Sequence, residues 1–214
     1  MKALSLNNVS YKPAGAKKAL LSGVDISFEA GKVYAISGMS SAGKSGLLAL
    51  LSGLGVASEG RIEFDGENLA EINRNHYRSR KIGVIFQSMV LLLRASAIEN
   101  IVLSMKLSGV RGVRKKVRAL ELLDKVGISP ERARCKIQKL TVSEQQRVAV
   151  ARALAHDPSL IIADEPTGSA DKATQDRILE ILQSLAHVEK KCVIVITHSK
   201  RVTSIADEVL SIGR

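Results

Sequence analysis

Residues 38–45 form a glycine-rich segment that matches the pattern G-x-x-x-x-G-K-[ST] at every fixed position. The segment follows a predicted strand at residues 33–36 and precedes apolar residues at helical spacing from Leu47 to Leu54. In this strand–loop–helix context, backbone amides and the helix N-terminus face one concavity that suits phosphate groups. A glycine-rich turn that merely begins a helix is the structural alternative, but the context argues against it. The sequence therefore predicts a nucleoside triphosphate site.

Individual residues of this loop have distinct predicted roles. The Lys44 ammonium is expected to reach the β- and γ-phosphates, and the Ser45 hydroxyl is expected to ligate Mg²⁺. The predicted nucleotide-binding residues are Gly38, Met39, Ser40, Ser41, Ala42, Gly43, Lys44, Ser45 and Gly46.

A second chemical signal lies at residues 160–165, where an apolar strand ends in two carboxylates. Phosphoryl transfer needs one carboxylate to hold Mg²⁺ and one polar group to orient or deprotonate the attacking water. Asp164 suits the first role and Glu165 suits the second. Two acids at the wet edge of a strand would be unremarkable alone, and the upstream phosphate loop is what favours the catalytic interpretation.

Strands alternate with helices at both ends of the chain, which predicts an α/β fold with a largely parallel sheet. The middle, from about residue 88 to 155, is helical throughout and is interpreted as an insertion. This middle is also distinctly basic, because residues 88–150 carry 13 Lys or Arg against 5 Asp or Glu. With 214 residues, we expect one domain, with a core at about 1–87 and 156–214 and a helical subdomain at about 88–155.

Composition bears on where the chain acts. No apolar run approaches the roughly 20 residues that span a bilayer, and the N-terminus does not resemble a signal segment, so a cytoplasmic location is expected. Cys135 and Cys192 are too few for a disulfide framework and lie outside any metal-binding spacing, so both are interpreted as reduced.

With these motifs in place, the whole chain resembles the ATP-binding subunit of ABC transporters. Phe86-Gln87 is similar to the Q-loop, residues 168–171 to the D-loop, and Val195-Ile196-Thr197-His198 to the strand that ends in the switch histidine. Tyr11 falls where this family places the aromatic residue that stacks on adenine. A single Tyr or His is more often structural, but several elements in the family's order argue against chance.

The resemblance implies a P-loop NTPase fold with a mainly parallel central sheet, an N-terminal antiparallel β subdomain and an inserted α-helical subdomain. It implies ATP and Mg²⁺ as cofactors. By the same resemblance, Glu165, His198 and Gln87 are the catalytic candidates, and Ser45, Gln87 and Asp164 are the metal candidates.

The helix at residues 144–154 strongly resembles the one that follows the family's signature loop, but the loop itself departs from the family pattern. Leu140-Thr141-Val142-Ser143 stands where family members read Leu-Ser-Gly-Gly. In the family this loop faces ATP held by the opposite subunit of a head-to-tail dimer, which implies Thr141, Ser143, Glu144 and the D-loop Asp171 as further nucleotide contacts. Thr141-x-x-Glu144 also reads as a helix capping box, and the two interpretations are compatible.

Two further departures lie in the phosphate loop, where Ser41 replaces a usual Gly and Gly46 replaces a usual Thr. A non-glycine residue at positive φ would cost about 1 kcal/mol, so we expect ATP binding to persist in weaker form. Efficient hydrolysis is the more demanding step, because it depends on a partner's signature loop.

The sequence is compatible with more than one function. The main expectation is an ATPase subunit that powers a separate membrane permease through ATP-driven dimer closure, similar to the lipoprotein-release, macrolide-efflux and peptide-antibiotic exporter group. Its expected partners are permease subunits and a second ATP-binding subunit, identical or different, at the inner face of the cell membrane. The alternatives are a soluble ABC-type ATPase acting on nucleic acid, disfavoured by 3% aromatic content, and a poorly hydrolysing regulatory subunit.

The basic cluster from Arg111 to Arg118 is a solvated helix face by default. Contact with nucleic acid, anionic lipid or the permease is the functional alternative.

Overall fold

The computed structural model describes residues 2–16, 18–38, 40–168 and 170–212, and of Lys2 only the backbone. Met39 and Ser169 therefore lie outside the described residues. In chain order the elements are β1 (Lys2–Tyr11), β2 (Leu21–Glu29), β3 (Val33–Ser37), α1 (Ser41–Leu51), β4 (Glu59–Phe64), β5 (Glu67–Asn68), α2 (Arg74–His76), a π-helical turn (Tyr77–Lys81), β6 (Ile82–Ile85), α3 (Ala97–Leu107), α4 (Lys115–Lys125), α5 (Pro130–Ala133), a 3₁₀ turn (Ile137–Lys139), α6 (Val142–Ala153), β7 (Leu160–Asp164), α7 (Lys172–His187), β8 (Cys192–Ile196), α8 (Lys200–Ile205) and β9 (Glu208–Ser211).

The central sheet is parallel, with the order β6-β7-β8-β3-β9 among the described residues. Its inner strands are short runs of mainly β-branched residues, as in Cys192–Ile196, where every residue is buried. Runs of this kind are typical of strands covered on both faces. The sheet is therefore the middle layer of the molecule.

Alternate residues of these strands enter two separate apolar clusters. On one face Ala35, Ala163 and Val195 pack with α3, α4, α6 and α7. On the other face Ile36 and Ile194 pack with α1 and with a second, antiparallel sheet of order β2-β1-β4-β5. The period of two along each strand produces this division, because successive side chains point to opposite faces.

Helices α3 to α6 lie between β6 and β7, where the sequence predicts the helical insertion. The predicted fold class is confirmed, with its parallel sheet, N-terminal antiparallel sheet and inserted helices. The boundaries at residues 88 and 155 stay a prediction.

Sequence reasoning underestimates the first strand, which runs from Lys2 to Tyr11 with register shifts against both of its neighbours. It also misses the π-helical turn at Tyr77–Lys81. The buried Tyr77 hydroxyl donates to the Leu51 carbonyl at 2.8 Å and so ties this turn to the end of α1. Among the described residues, no helix is long and apolar enough to cross a membrane.

Candidate functional site

The predicted chemical residues meet at one edge of the parallel sheet. Strands β3, β7 and β8 are adjacent and parallel, so the segments that follow them emerge side by side. These segments carry the glycine-rich loop, the pair Asp164-Glu165, and Thr197-His198. In open α/β sheets this carboxyl edge is where ligands bind. The topology thus brings together three motifs that are up to 160 residues apart in sequence.

The glycine-rich loop leads directly into α1. Gly38 has φ +81°, and a Cβ atom there would lie 2.7 Å from the Ser211 hydroxyl, so only glycine fits this turn. Ser40 is the N-cap of α1, and its hydroxyl accepts a hydrogen bond from the Gly43 amide at 3.3 Å. Ser41 is the first helical residue and is absent from the residues with positive φ. The free-energy cost expected for a non-glycine residue at positive φ therefore does not arise at Ser41.

Lys44 and Glu165 form an ion pair across the site. Lys44 is only 8% exposed, and its ammonium lies 2.6 Å from Glu165 Oε1. The same carboxylate accepts hydrogen bonds from the Thr197 hydroxyl at 2.7 Å and from the His198 amide at 2.9 Å. Three donors from two other loops thus fix the Glu165 side chain, whose backbone has the uncommon φ of +43°.

The two neighbouring carboxylates have opposite electrostatic environments. Burial raises the pKa of Asp164, and nearby Lys44 opposes this only in part. Burial also acts to raise the pKa of Glu165, but hydrogen bonds from Lys44 and Thr197 outweigh it and lower the pKa below its ordinary value. Pairs of titratable groups whose environments push their pKa values apart are common in active sites.

Tyr11 lies next to the start of α1, on the same side as the glycine-rich loop. A Cβ atom on Gly46 would lie only 3.1 Å from the Tyr11 ring, so the larger side chain of threonine would crowd the ring at this position. The Tyr11 ring also lies against Gly55, and the side chain is half-buried. Gly46 thus allows the ring to pack onto α1, which gives a physical reason for this departure from the family pattern. Stacking of Tyr11 on adenine stays a prediction.

Gln87 and His198 lie at the same edge of the sheet, but hydrogen bonds with described residues do not fix their side chains there. Gln87 follows β6 and is exposed, and His198 follows β8 and is also exposed. Neither side chain forms a hydrogen bond or ion pair with another described residue, although the His198 amide binds Glu165. Their side chains are therefore free to meet a ligand.

The loop at residues 140–143, which differs from the family's signature pattern, leads into α6. The Thr141 hydroxyl accepts from the Glu144 amide and the Glu144 carboxylate accepts from the Thr141 amide, so the predicted capping box is confirmed. Arg132 grips the Glu144 carboxylate through two nitrogens at 2.6 and 2.5 Å, which lowers its pKa to about 2. Val142, at the first turn, is 52% exposed. The loop therefore presents an apolar side chain to the surface.

The Ser143 hydroxyl donates to the Asp171 carboxylate, which also caps α7 by accepting from the Thr174 amide at 2.9 Å. These bonds lower the pKa of Asp171 to about 2. Within one subunit, the predicted signature and D-loop segments are thus directly linked. Contacts of Thr141, Ser143, Glu144 and Asp171 with nucleotide stay predictions.

Sequence reasoning missed three residues that shape this site. Thr197 is fully buried and orients Glu165, and its position before His198 at a strand end is the signal that was overlooked. Gln146 on α6 donates to the Pro166 carbonyl beside Glu165. Arg132 has no sequence signal, because its partner Glu144 lies 12 residues away on another helix.

Comparison with known proteins places the chain among ABC transporters. The ABC transporter family model matches residues 21–168. The ABC transporter ATP-binding protein YclH of Bacillus subtilis is 36% identical over 214 residues, covering 100% of this chain and 95% of YclH. The lipoprotein-releasing system ATP-binding protein LolD of Pseudoalteromonas translucida is 36% identical over 197 residues, covering 91% of this chain and 84% of LolD.

Solved structures agree with this assignment. The dimeric structure of a bacterial ABC transporter cassette superimposes with a TM-score of 0.90 at 30% identity, covering 98% of this chain and 94% of that one. A post-hydrolysis state of the same cassette, bound to ADP and Pi, has an equal TM-score. The family, the fold class and the ATPase function predicted from sequence are confirmed, and the chain belongs to the ABC transporter family as an ATP-binding and ATP-hydrolysing subunit.

Proposed function

We propose that this chain powers a separate membrane permease through ATP-driven closure of two ATP-binding subunits, as an exporter-type subunit similar to those of lipoprotein-releasing systems. The observation that carries the catalytic part is the Lys44–Glu165 pair at the carboxyl edge of the sheet. It joins the phosphate-binding lysine to the carboxylate expected to act on water. The likeness to lipoprotein-releasing proteins supports the exporter group.

When phosphate binds, the donors of the loop exchange hydrogen-bond partners within the protein for phosphate oxygens. In the structure, the Gly43 amide is bound to the Ser40 hydroxyl and the Lys44 ammonium to Glu165. A triphosphate offers acceptors of higher charge to both donors, so it replaces Ser40 and Glu165 as their partner. ATP binding thereby releases the Glu165 carboxylate from Lys44.

Release of Glu165 from Lys44 raises the pKa of the carboxyl group, which makes the carboxylate a stronger base. Burial raises its pKa and the Lys44 hydrogen bond lowers it, so loss of that bond moves the pKa upward. A carboxylate with a higher pKa is a better proton acceptor from attacking water. The bonds from Thr197 and the His198 amide keep the carboxylate in place during this change. Glu165 is the proposed base, with His198 and Gln87 assisting.

The residues present fit a magnesium ion. Asp164 is half-buried and accepts no side-chain hydrogen bond from the residues that the structure describes, so its carboxylate oxygens are available as metal ligands. Among the described residues the Ser45 hydroxyl donates to the Ser41 carbonyl, at 3.1 Å, and its oxygen can still act as a ligand. Protein-bound Mg²⁺ commonly uses one or two protein oxygens together with phosphate oxygens. When bound, the ion neutralises phosphate charge, and Ser45, Asp164 and Gln87 are the residues proposed to hold it.

Replacement of Lys44 by alanine tests the phosphate site. We expect Lys44→Ala to weaken ATP·Mg²⁺ binding at least about tenfold, because a charge-assisted contact is lost. Isothermal titration calorimetry measures this affinity, and Lys106→Ala, an exposed lysine on α3, is the matched control. Equal affinity of Lys44→Ala and the wild type would refute the assignment of the loop.

Replacement of Glu165 by glutamine tests the proposed base and the dimer. We expect Glu165→Gln to keep ATP binding and to lower hydrolysis about 100-fold, because the amide keeps the shape but cannot accept the proton. Phosphate release measures hydrolysis, and light scattering with saturating ATP measures assembly. A dimer identifies the second subunit as another copy of this chain, whereas a monomer identifies it as a different chain. Undiminished hydrolysis would remove Glu165 from the proposed role.

The exposed Val142 is proposed to limit turnover. It stands where the family brings backbone close to phosphate, and a β-branched side chain obstructs that approach. We expect the double substitution Val142→Gly and Ser143→Gly to raise steady-state ATP hydrolysis several-fold despite some loss of helix stability. Val188→Gly, at another exposed valine, is the control for a general loosening of the protein. Unchanged turnover would show that the loop is not limiting.

We propose that the permease docks on the cleft between the parallel sheet and the helical insertion, named here the docking cleft. One cavity of about 260 Å³ is lined by Leu54, Arg78, Phe86, Ser104, Arg152 and others, and a cavity of about 560 Å³ by Arg80, Arg111, Ser108, Val110 and others. His156 lines both, so the cavities adjoin. Apolar residues beside guanidinium groups suit a segment that is apolar with acidic side chains.

Charge placement in the docking cleft tests this surface. Leu54 is 61% exposed, and we expect Leu54→Glu to reduce co-sedimentation with permease-containing membranes at least about fivefold, because a carboxylate replaces an apolar contact. ATP hydrolysis by the isolated protein is expected to be unchanged. Val188→Glu, at an apolar position outside the cleft that is 75% exposed, is the control. Full membrane association of Leu54→Glu would place the permease elsewhere.

A further inference from the structure

The segment after Gln87 contains an unusual turn. Met89 and Val90 have φ values of 59° and 45°, so two successive non-glycine residues are left-handed. This conformation is unfavourable for L-residues and especially for a β-branched one such as Val90. Strained backbone persists only where surrounding contacts hold it.

Two backbone hydrogen bonds close the turn, from the Met89 amide to the Phe86 carbonyl at 3.0 Å and from the Val90 amide to the Ser88 carbonyl at 2.6 Å, and one side chain adds contacts from outside it. The guanidinium of Arg152 donates to the Met89 carbonyl at 3.1 Å and to the Val90 carbonyl through a second nitrogen. Arg152 forms no ion pair with a described residue, and burial lowers its pKa. A largely buried cation is thus devoted to two backbone carbonyls of the strained turn.

The position of Arg152 connects this turn with the catalytic edge. Arg152 lies in the last turn of α6, the helix that begins at the signature loop. Earlier on the same helix, Gln146 donates to the Pro166 carbonyl, next to Glu165. Downstream of the turn, the Leu92 backbone amide donates to Asn100 Oδ1 at 2.8 Å, and Asn100 Nδ2 donates to the Leu92 carbonyl at 3.2 Å. The exposed Gln87 therefore stands between the end of β6 and a segment fixed at both Arg152 and Asn100.

We propose that Arg152 is a positioning residue for Gln87, which acts by holding the Met89–Val90 turn in its left-handed form. Without Arg152 the turn relaxes toward right-handed backbone, and Gln87 moves away from the carboxyl edge of the sheet. The inference rests on the proposed catalytic role of Gln87. It predicts a defect in the hydrolytic step and not in ATP affinity.

The test compares ATP hydrolysis by the purified 214-residue chain with that of four variants. Arg152→Ala is expected to lower kcat about tenfold with less than about twofold change in KM for ATP, since a displaced catalytic group costs rate more than binding. Arg152→Lys, which keeps the charge without the two-carbonyl geometry, is expected to be intermediate. Arg134→Ala is the control, because the exposed Arg134 guanidinium also donates to a backbone carbonyl, that of Pro130 at 3.0 Å, outside the turn and outside the proposed site.

Rescue distinguishes positioning from general support of the fold. Glycine adopts left-handed backbone without strain, so Val90→Gly should retain the turn without the clamp. We expect the double variant Arg152→Ala with Val90→Gly to recover at least threefold in kcat over Arg152→Ala. The inference is overturned if Arg152→Ala resembles Arg134→Ala in kcat, or if adding Val90→Gly to Arg152→Ala gives no recovery.

Two further outcomes are informative. If Arg152→Ala does not fold, the comparison moves to Arg152→Lys with and without Val90→Gly, with the same recovery expected. If the wild-type chain itself binds ATP without hydrolysing it in a cognate dimer, the proposed function fails, and with it the basis of this inference. Wild-type hydrolysis with no recovery by Val90→Gly refutes the inference alone.

Discussion

The ion pair between Lys44 and Glu165 depends on the whole architecture and gives the site its chemistry. Its partners lie 121 residues apart and meet only because β3, β8 and β7 run side by side in parallel. Both side chains are largely shielded from water, so the pair requires good geometry and additional hydrogen bonds to be tolerated. Thr197 and the His198 amide supply those bonds. In the proposed mechanism, a triphosphate that binds Lys44 also releases the Glu165 carboxylate, which couples ATP binding to chemistry.

Helix α6 has a comparable role between regions of the molecule. Its first residues are fixed by the capping box and by Arg132, its second turn contacts the loop of Glu165 through Gln146, and its last turn holds the segment after Gln87 through Arg152. A helix with ends fixed in this way transmits displacements as a rigid body. In the proposed mechanism it relates the surface that meets a second subunit to the docking cleft.

Much of the fold is predictable from sequence because the patterns are local. The apolar run at residues 160–163, the helical spacing after Leu47 and the capping box at Thr141 each depend on residues within a few positions of one another. The extent of β1 and the π-helical turn at Tyr77 were missed, since pairing with β2 and β4 and the contact of Tyr77 with Leu51 are tertiary. Propensity is a weak guide where such contacts decide the conformation.

By itself, the sequence determined which chemical groups this protein carries: a glycine-rich loop before a helix, a strand ending in two acids, and the capping box Thr141-x-x-Glu144, each readable from residue type and spacing. Tertiary structure decided how those groups act on one another. It pairs Lys44 with Glu165, places Thr197 behind that carboxylate, seats Tyr11 over Gly46, and sets Arg152 against two left-handed residues. Spacing in the chain constrains only near neighbours, whereas pKa values, backbone strain and hydrogen-bond partners depend on distances that exist only after the sheet has formed.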